Sequence, residues 1–127
     1  MAEELDLVGL YRRAEQRLSA GDVKGALEDL QPVVEAEPNT VSVLLLLARA
    51  YFKSAQLARA EQTYRRVVEL HPAEPEALIG LARTLERQSR HAEALPHARM
   101  AASMRPQHMQ TVQRIEQRLR RNNWRLN

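Results

Sequence analysis

Four histidines, sixteen carboxylates and nineteen cations are the groups in these 127 residues that could do chemistry. Their spacing argues against catalysis. His71, His91, His97 and His108 never form a His-Glu-x-x-His pair, the spacing that would aim two imidazoles at one metal ion from a helix. Cysteine is absent, which removes thiolate nucleophiles, disulfides and Cys-based zinc sites. No Gly-x-Ser-x-Gly elbow or phosphate-cradling loop exists, since Gly9, Gly21, Gly25 and Gly80 are scattered. Glu61, Glu69, Glu86 and Glu93 recur regularly but lie among arginines, as solvated ion pairs do. No enzyme activity, metal or cofactor is therefore expected. What remains is arginine itself. All the cations are Arg except Lys24 and Lys53, and a planar guanidinium suits the two-point holding of a carboxylate.

The elements that carry these arginines are helices. Ala, Leu, Arg, Glu and Gln dominate, all good helix formers, whereas β-branched residues are sparse. The length suits one compact domain, residues 1–127. Charge is divided along it. Residues 1–40 hold four basic and nine acidic side chains, net −5, and residues 105–127 hold six and one, net +5. The acidic start, Met1-Ala2-Glu3-Glu4, has no apolar run behind it, unlike a secretory signal. The longest apolar run, Val43 to Ala48, is far short of the ~20 residues of a membrane span. The expectation is a cytoplasmic protein with no membrane span.

A period of 34 residues organises the chain. Pro38, Pro72 and Pro106 share it, as do Ala26, Ala60 and Ala94, Ala14, Ala48 and Ala82, and Leu10, Leu44 and Leu78 with Val112 following. Repeats of this length are supersecondary units that stack. Each unit reads as two helices. Leu44, Leu47, Ala48 and Tyr51 form one apolar stripe, Ala55-Gln56 a turn, and Leu57, Ala60, Tyr64, Val67 and Val68 a second stripe. His71-Pro72 ends the pair, because proline pushes its predecessor out of the α region. Pro32 and Pro96 fall inside second helices, where bends are expected.

With Leu44, Leu47, Ala48, Tyr51, Ala60, Tyr64 and Pro72 in the second unit, and Leu78, Leu81, Ala82, Leu85, Ala94, Ala101 and Pro106 in the third, the sequence resembles the tetratricopeptide repeat (TPR) family. The first unit keeps Leu10, Ala14, Ala26, Pro38 and the turn Gly21-Asp22, but has Arg13 and Arg17 where the motif wants apolar groups. The resemblance implies an all-α, right-handed superhelical solenoid. Its repeats would cover about 7–40, 41–74 and 75–108, with a capping helix over about 109–121. Asn122-Asn123 reads as a helix stop before a short basic tail, 122–127.

In such a solenoid the first helix of each unit lines the concave side, and equivalent residues form rows. One row is Tyr11, Leu45, Ile79 and Gln113; the next is Glu15, Arg49, Arg83 and Gln117; a third is Leu18, Phe52, Glu86 and Arg120, with Arg12, Lys53, Arg87 and Arg114 alongside. An apolar lane beside a cationic one fits an extended acidic peptide with large apolar anchors. Its expected groove residues are Tyr11, Leu45, Arg49, Phe52, Ile79, Arg83, Arg87, Gln113 and Arg114. The competing reading packs Leu45, Phe52 and Ile79 inward and pairs Arg49 and Arg83 with Glu15 and Glu86. The carboxylate clamp of chaperone-binding relatives would fall on Tyr11 and Glu15, Leu46, then Glu76 and Gly80, none of which fits.

The functional expectation is a non-enzymatic interaction module or scaffold for a protein or peptide partner. One alternative is a nucleic-acid binder using Arg114, Arg118, Arg121 and Arg125 with Trp124 as a stacking platform. The acidic N-terminal third and the scarcity of aromatics weigh against it. The other is a self-associating subunit, its unlike-charged ends drawn together and Trp124 inserted into a neighbouring copy.

Overall fold

The computed structural model describes residues 6–126, with side chains as far as Asn123. The helices are α1 (Leu7–Ser19), α2 (Val23–Ala36), α3 (Val41–Lys53), α4 (Leu57–Leu70), α5 (Pro75–Arg87), α6 (His91–Met104) and α7 (Met109–Leu126). A short 3-10 turn, Pro106–His108, leads into α7, and the described residues include no strand. Successive helices pair as α1 with α2, α3 with α4 and α5 with α6, and α7 lies on α6.

Two local devices, repeated at the 34-residue period, set these pairs. The first lies within each pair, where Gly21, Ala55 and Ser89 take left-handed φ values of 89°, 59° and 61°. The residue after each donates back to the last turn of the first helix: Asp22 N to Arg17 O at 2.8 Å, Gln56 N to Tyr51 O at 2.9 Å and Arg90 N to Leu85 O at 2.9 Å. This closes the orphaned carbonyls in a Schellman arrangement. The second device ends each pair. Glu37, His71 and Arg105, each preceding a proline, have φ of −129°, −142° and −136°, the extended backbone that a following proline favours.

The alanine ladders sit where paired helices cross. Ala14, Ala26, Ala48, Ala60, Ala82 and Ala94 are fully buried, so the backbones meet without intervening side chains. Leu44, Ala48, Ala60 and Tyr64 share one core with Leu81, Leu85, Ala98 and Ile115, as the sequence period requires. The first unit joins a second cluster through Leu18, Leu30 and Leu46. Arg13 and Arg17, placed where the motif is apolar, converge on the buried carboxylate of Asp29. Arg13 makes a bidentate pair at 2.9 and 2.6 Å and Arg17 approaches to 3.3 Å. The hydrogen bonds from Arg13 hold the Asp29 carboxyl below its ordinary range against the opposing pull of burial.

The helices α2 and α6 include Pro32 and Pro96 without a break. One expectation needs amending: the helix α7 continues through Asn122-Asn123 to Leu126 instead of stopping. Asparagine tolerates the left-handed conformation but does not demand it. Within a run of arginines and without glycine or proline, the helical state costs only a few tenths of a kcal/mol per residue.

Candidate functional site

The first helices α1, α3 and α5 touch one another along the array, whereas the second helices are spread apart. That difference bends the stack so that α1, α3 and α5 line its inner side. At its middle lies a cleft of about 270 Å³, bounded by Arg49, Phe52 and Lys53 of α3, Tyr64 of α4, and Glu76, Ile79, Gly80 and Arg83 of α5.

Gly80 makes this cleft. An added Cβ there would come within 2.3 Å of the Tyr64 ring, so only glycine lets the ring lie against α5. Tyr64 is 4% exposed, and burial pushes its phenol up to about 12. It stays a neutral hydroxyl at physiological pH, able to donate. Neither motif matching nor periodicity singles out Tyr64 or Gly80 as site residues: Tyr64 reads as a packing position on the stripe of the second helix, and Gly80 as one of four scattered glycines.

The cations around the cleft differ in their partners. Arg49 has its Nε 3.0 Å from Glu76 Oε1. The approach is poorly directed for a hydrogen bond, so this buried Nε has no hydrogen-bond partner. Lys53 and Arg83 are exposed and make no ion pair among the described residues. Arg87 stacks over the Phe52 ring at 4.8 Å and donates to the Phe52 carbonyl at 3.2 Å, holding the ring at the mouth.

The other expected groove residues are placed differently. Leu45 is 7% exposed and Ile79 5%. The expected open apolar lane is therefore packed inward, leaving only an edge of Ile79 on the cleft. Their neighbours explain this: Leu45 joins the core of units two and three, and Ile79 packs with Leu78 and Ala101. Tyr11 is half-buried, its hydroxyl donating to the Ser42 carbonyl at 3.4 Å. Gln113 is exposed on α7. Arg114 is occupied by a bidentate pair with Glu86 at 2.6 and 2.8 Å. The pairing of Arg49 and Arg83 with Glu15 and Glu86 is not the one formed: Glu76 takes Arg49, and Glu86 takes Arg114. The side chain of Trp124 lies outside the described residues. Among those described, no cluster of three His, Asp or Glu residues could hold a metal ion, and no helix is long and apolar enough to cross a membrane.

Three antiparallel pairs stacked in one direction, with an additional helix on the last, define an α-solenoid of helix-turn-helix repeats. Tetratricopeptide-repeat family profiles match residues 17–72 and 45–108; the chain belongs to the tetratricopeptide repeat family. A curated relative, DnaJ homolog subfamily C member 3 of Rattus norvegicus, is 33% identical over 91 residues, 69% of this chain but 18% of the relative. The chain thus spans less than a fifth of that protein's length. Among solved structures, the Sgt2 TPR domain from Aspergillus fumigatus superposes with a TM-score of 0.86 at 12% identity, covering 96% of this chain and 84% of that one. The first TPR of Spaghetti (RPAP3) bound to HSP90 peptide SRMEEVD has a TM-score of 0.84 at 17% identity, covering 93% and 96%. MamA has a TM-score of 0.81 at 16% identity, covering 88% and 67%. At these identities the likeness is one of fold.

Proposed function

We propose that this protein is a non-enzymatic interaction module that binds an extended, acidic segment of a partner protein across its concave surface. The carrying observation is the central cleft, where Lys53 and Arg83, without an ion pair among the described residues, and the under-bonded Arg49 meet Tyr64 beside the half-buried ring of Phe52. A carboxylate side chain entering there gains charge-assisted hydrogen bonds from Lys53 and Arg83, and competes with Glu76 for Arg49. An adjacent apolar side chain of the same segment would rest on Phe52. Because Leu45 and Ile79 are packed inward, the apolar contribution is one anchor and not a continuous lane.

The solved RPAP3 complex, in which the same fold carries a peptide containing the acidic pair of SRMEEVD, supports the peptide reading. The positions of the carboxylate clamp do not carry over, so the reading rests on this chain's own cleft. The direct test is a side-by-side pull-down from source-cell lysate with wild type and Lys53→Glu/Arg83→Glu. Both residues are exposed and unpaired, so the substitutions should change stability by less than ~1 kcal/mol. Captured proteins lost from the double variant are the groove partners. Equal capture by both baits would place the ligand elsewhere.

A further inference from the structure

Among the described residues, every arginine that meets a carboxylate does so through a directed hydrogen bond, with one exception. Arg13 grips Asp29 at 2.9 and 2.6 Å, Arg90 grips Glu93 at 3.1 and 2.7 Å, and Arg114 grips Glu86 at 2.6 and 2.8 Å. The other ion-paired arginines each donate at least one hydrogen bond to a carboxylate. Arg49 does not. Its Nε lies 3.0 Å from Glu76 Oε1 and is buried, yet it has no hydrogen-bond partner. A buried donor in that state is destabilising until a properly aimed acceptor reaches it.

Glu76 is the single acid among the residues that bound the cleft, beside Arg49, Lys53 and Arg83. Its charge reaches into the cleft. After burial, the largest influence on the Tyr64 phenol is Glu76, which raises it, whereas Arg49 and Arg83 lower it. Two features make Glu76 a replaceable partner for Arg49. Its side chain is 44% exposed and that of Arg49 41%, and an ion pair this open gains little in water. Glu76 also stands in the first turn of α5, where the positive end of the helix stabilises a carboxylate. Released from Arg49, it keeps that second stabilisation and its contact with water.

We propose that Glu76 is an internal stand-in for the ligand: its carboxylate occupies Arg49 in the free protein, and an acidic side chain of the bound segment displaces it and takes a two-point hold on the guanidinium. This rests on the reading of the cleft as the site for an acidic segment and adds a threshold to it. Lys53 and Arg83, without ion pairs among the described residues, attract any anion to the cleft. Only a ligand that also aims its oxygens well at Arg49 outcompetes Glu76, whose own approach is misdirected. Glu76 thereby selects a well-placed carboxylate over diffuse negative charge.

The test is a double-mutant cycle read by fluorescence anisotropy at about 0.15 M salt. The probe is a labelled peptide library with a Leu or Phe anchor among degenerate Asp and Glu positions. Glu76→Gln keeps the size of the side chain and removes its charge. It should bind the library about threefold to tenfold more tightly than wild type, the scale of an exposed ion pair that no longer has to be broken. In an Arg49→Gln background the same substitution should change affinity by less than about twofold. Glu15→Gln removes one negative charge from an exposed position on α1 that makes no ion pair among the described residues. It should leave affinity within about twofold of wild type. Circular dichroism checks that each variant keeps its helices, and Glu15→Gln keeps the test decisive if Arg49→Gln does not. Equal binding by wild type and Glu76→Gln would overturn the proposal and leave the acidic-segment reading standing. So would a gain that Glu15→Gln matches, or one that persists without Arg49. Binding by Glu76→Gln alone would support the proposal most strongly. Failure of both wild type and Glu76→Gln to bind the library would overturn the proposal and the reading together.

Discussion

Replacing Ala55 with glycine should make the protein more stable, although glycine inside a helix ordinarily weakens it. Ala55 and Ser89 occupy left-handed backbone at φ 59° and 61°, where the first unit has Gly21 at φ 89°. A residue with a Cβ is held there against ~1–2 kcal/mol of steric cost. Glycine removes that cost and gives back ~0.4–1 kcal/mol through the greater freedom of its unfolded chain. The net gain is about 0.5–1 kcal/mol per site, and Ala55 is exposed, so little packing is lost with its methyl. Combined with Ser89→Gly, which sits in a separate turn, the gain should add to about 1–2 kcal/mol. In a chain of this size that raises Tm by roughly 3–10 °C. The reciprocal change, Gly21→Ala, isolates the backbone term. Its new Cβ would meet no atom within 4 Å, so any loss, expected at about 0.5–1 kcal/mol, comes from φ alone. Urea unfolding followed by circular dichroism measures all three. If Ala55→Gly destabilises while Gly21→Ala is neutral, the turns do not hold the left-handed geometry and the account of how the helices pair is wrong.

Other outcomes follow from single contacts. Asp29→Asn removes the acceptor shared by Arg13 and Arg17 and should cost about 2 kcal/mol, the scale of hydrogen bonds to a charged group, read from urea unfolding at neutral pH. Because the folded Asp29 carboxyl titrates below its ordinary value, its contribution is complete above about pH 4 and disappears as pH falls through the lower folded value. The gap in Tm between wild type and Asp29→Asn should therefore shrink in acid. Gly80→Ala places a methyl 2.3 Å from the Tyr64 ring, forcing the ring to move by about 1 Å or more to reach ordinary contact. Acidic-peptide binding should fall while helix content is kept, and unchanged affinity would show that the cleft does not depend on that approach. Ultraviolet titration should show a tyrosine ionising near pH 12, absent from Tyr64→Phe, since burial lifts this phenol to about 12.

The helical repeat was legible because one-dimensional signals were enough for it. Alanine at each crossing, proline after each pair and a 34-residue spacing demand nothing of residues far away. The site was legible only in part, and the missing information was three-dimensional. The row Leu45 and Ile79 has the spacing of a groove lining, but whether such a side chain faces solvent depends on the bulk of its neighbours, and here both are packed. Pairing of charges failed for the same reason. The carboxylate that meets Arg49 is Glu76, at the start of the next unit's first helix, and not Glu15 at the neighbouring row position. Arg13 and Arg17 broke the motif on paper, and the reason lay on the facing helix, in Asp29. Tyr64 conforms to the repeat pattern and Gly80 stands outside it, and nothing in either position alone reveals that their close approach shapes the cleft. Asn122-Asn123 permits a helix to end without requiring it, so sequence alone does not locate the end of α7.

The measurement closest to the central claim is fluorescence anisotropy of labelled peptide libraries, each with a fixed Leu or Phe anchor flanked by either Asp/Glu or Lys/Arg at degenerate positions. The acidic library should bind wild type, weaken as salt rises and lose binding to Lys53→Glu/Arg83→Glu. The basic library should show no such dependence on these two residues. Binding of the basic library in preference to the acidic one, or acidic binding that survives the double substitution, would contradict the assignment of the concave cleft as the acidic-peptide site.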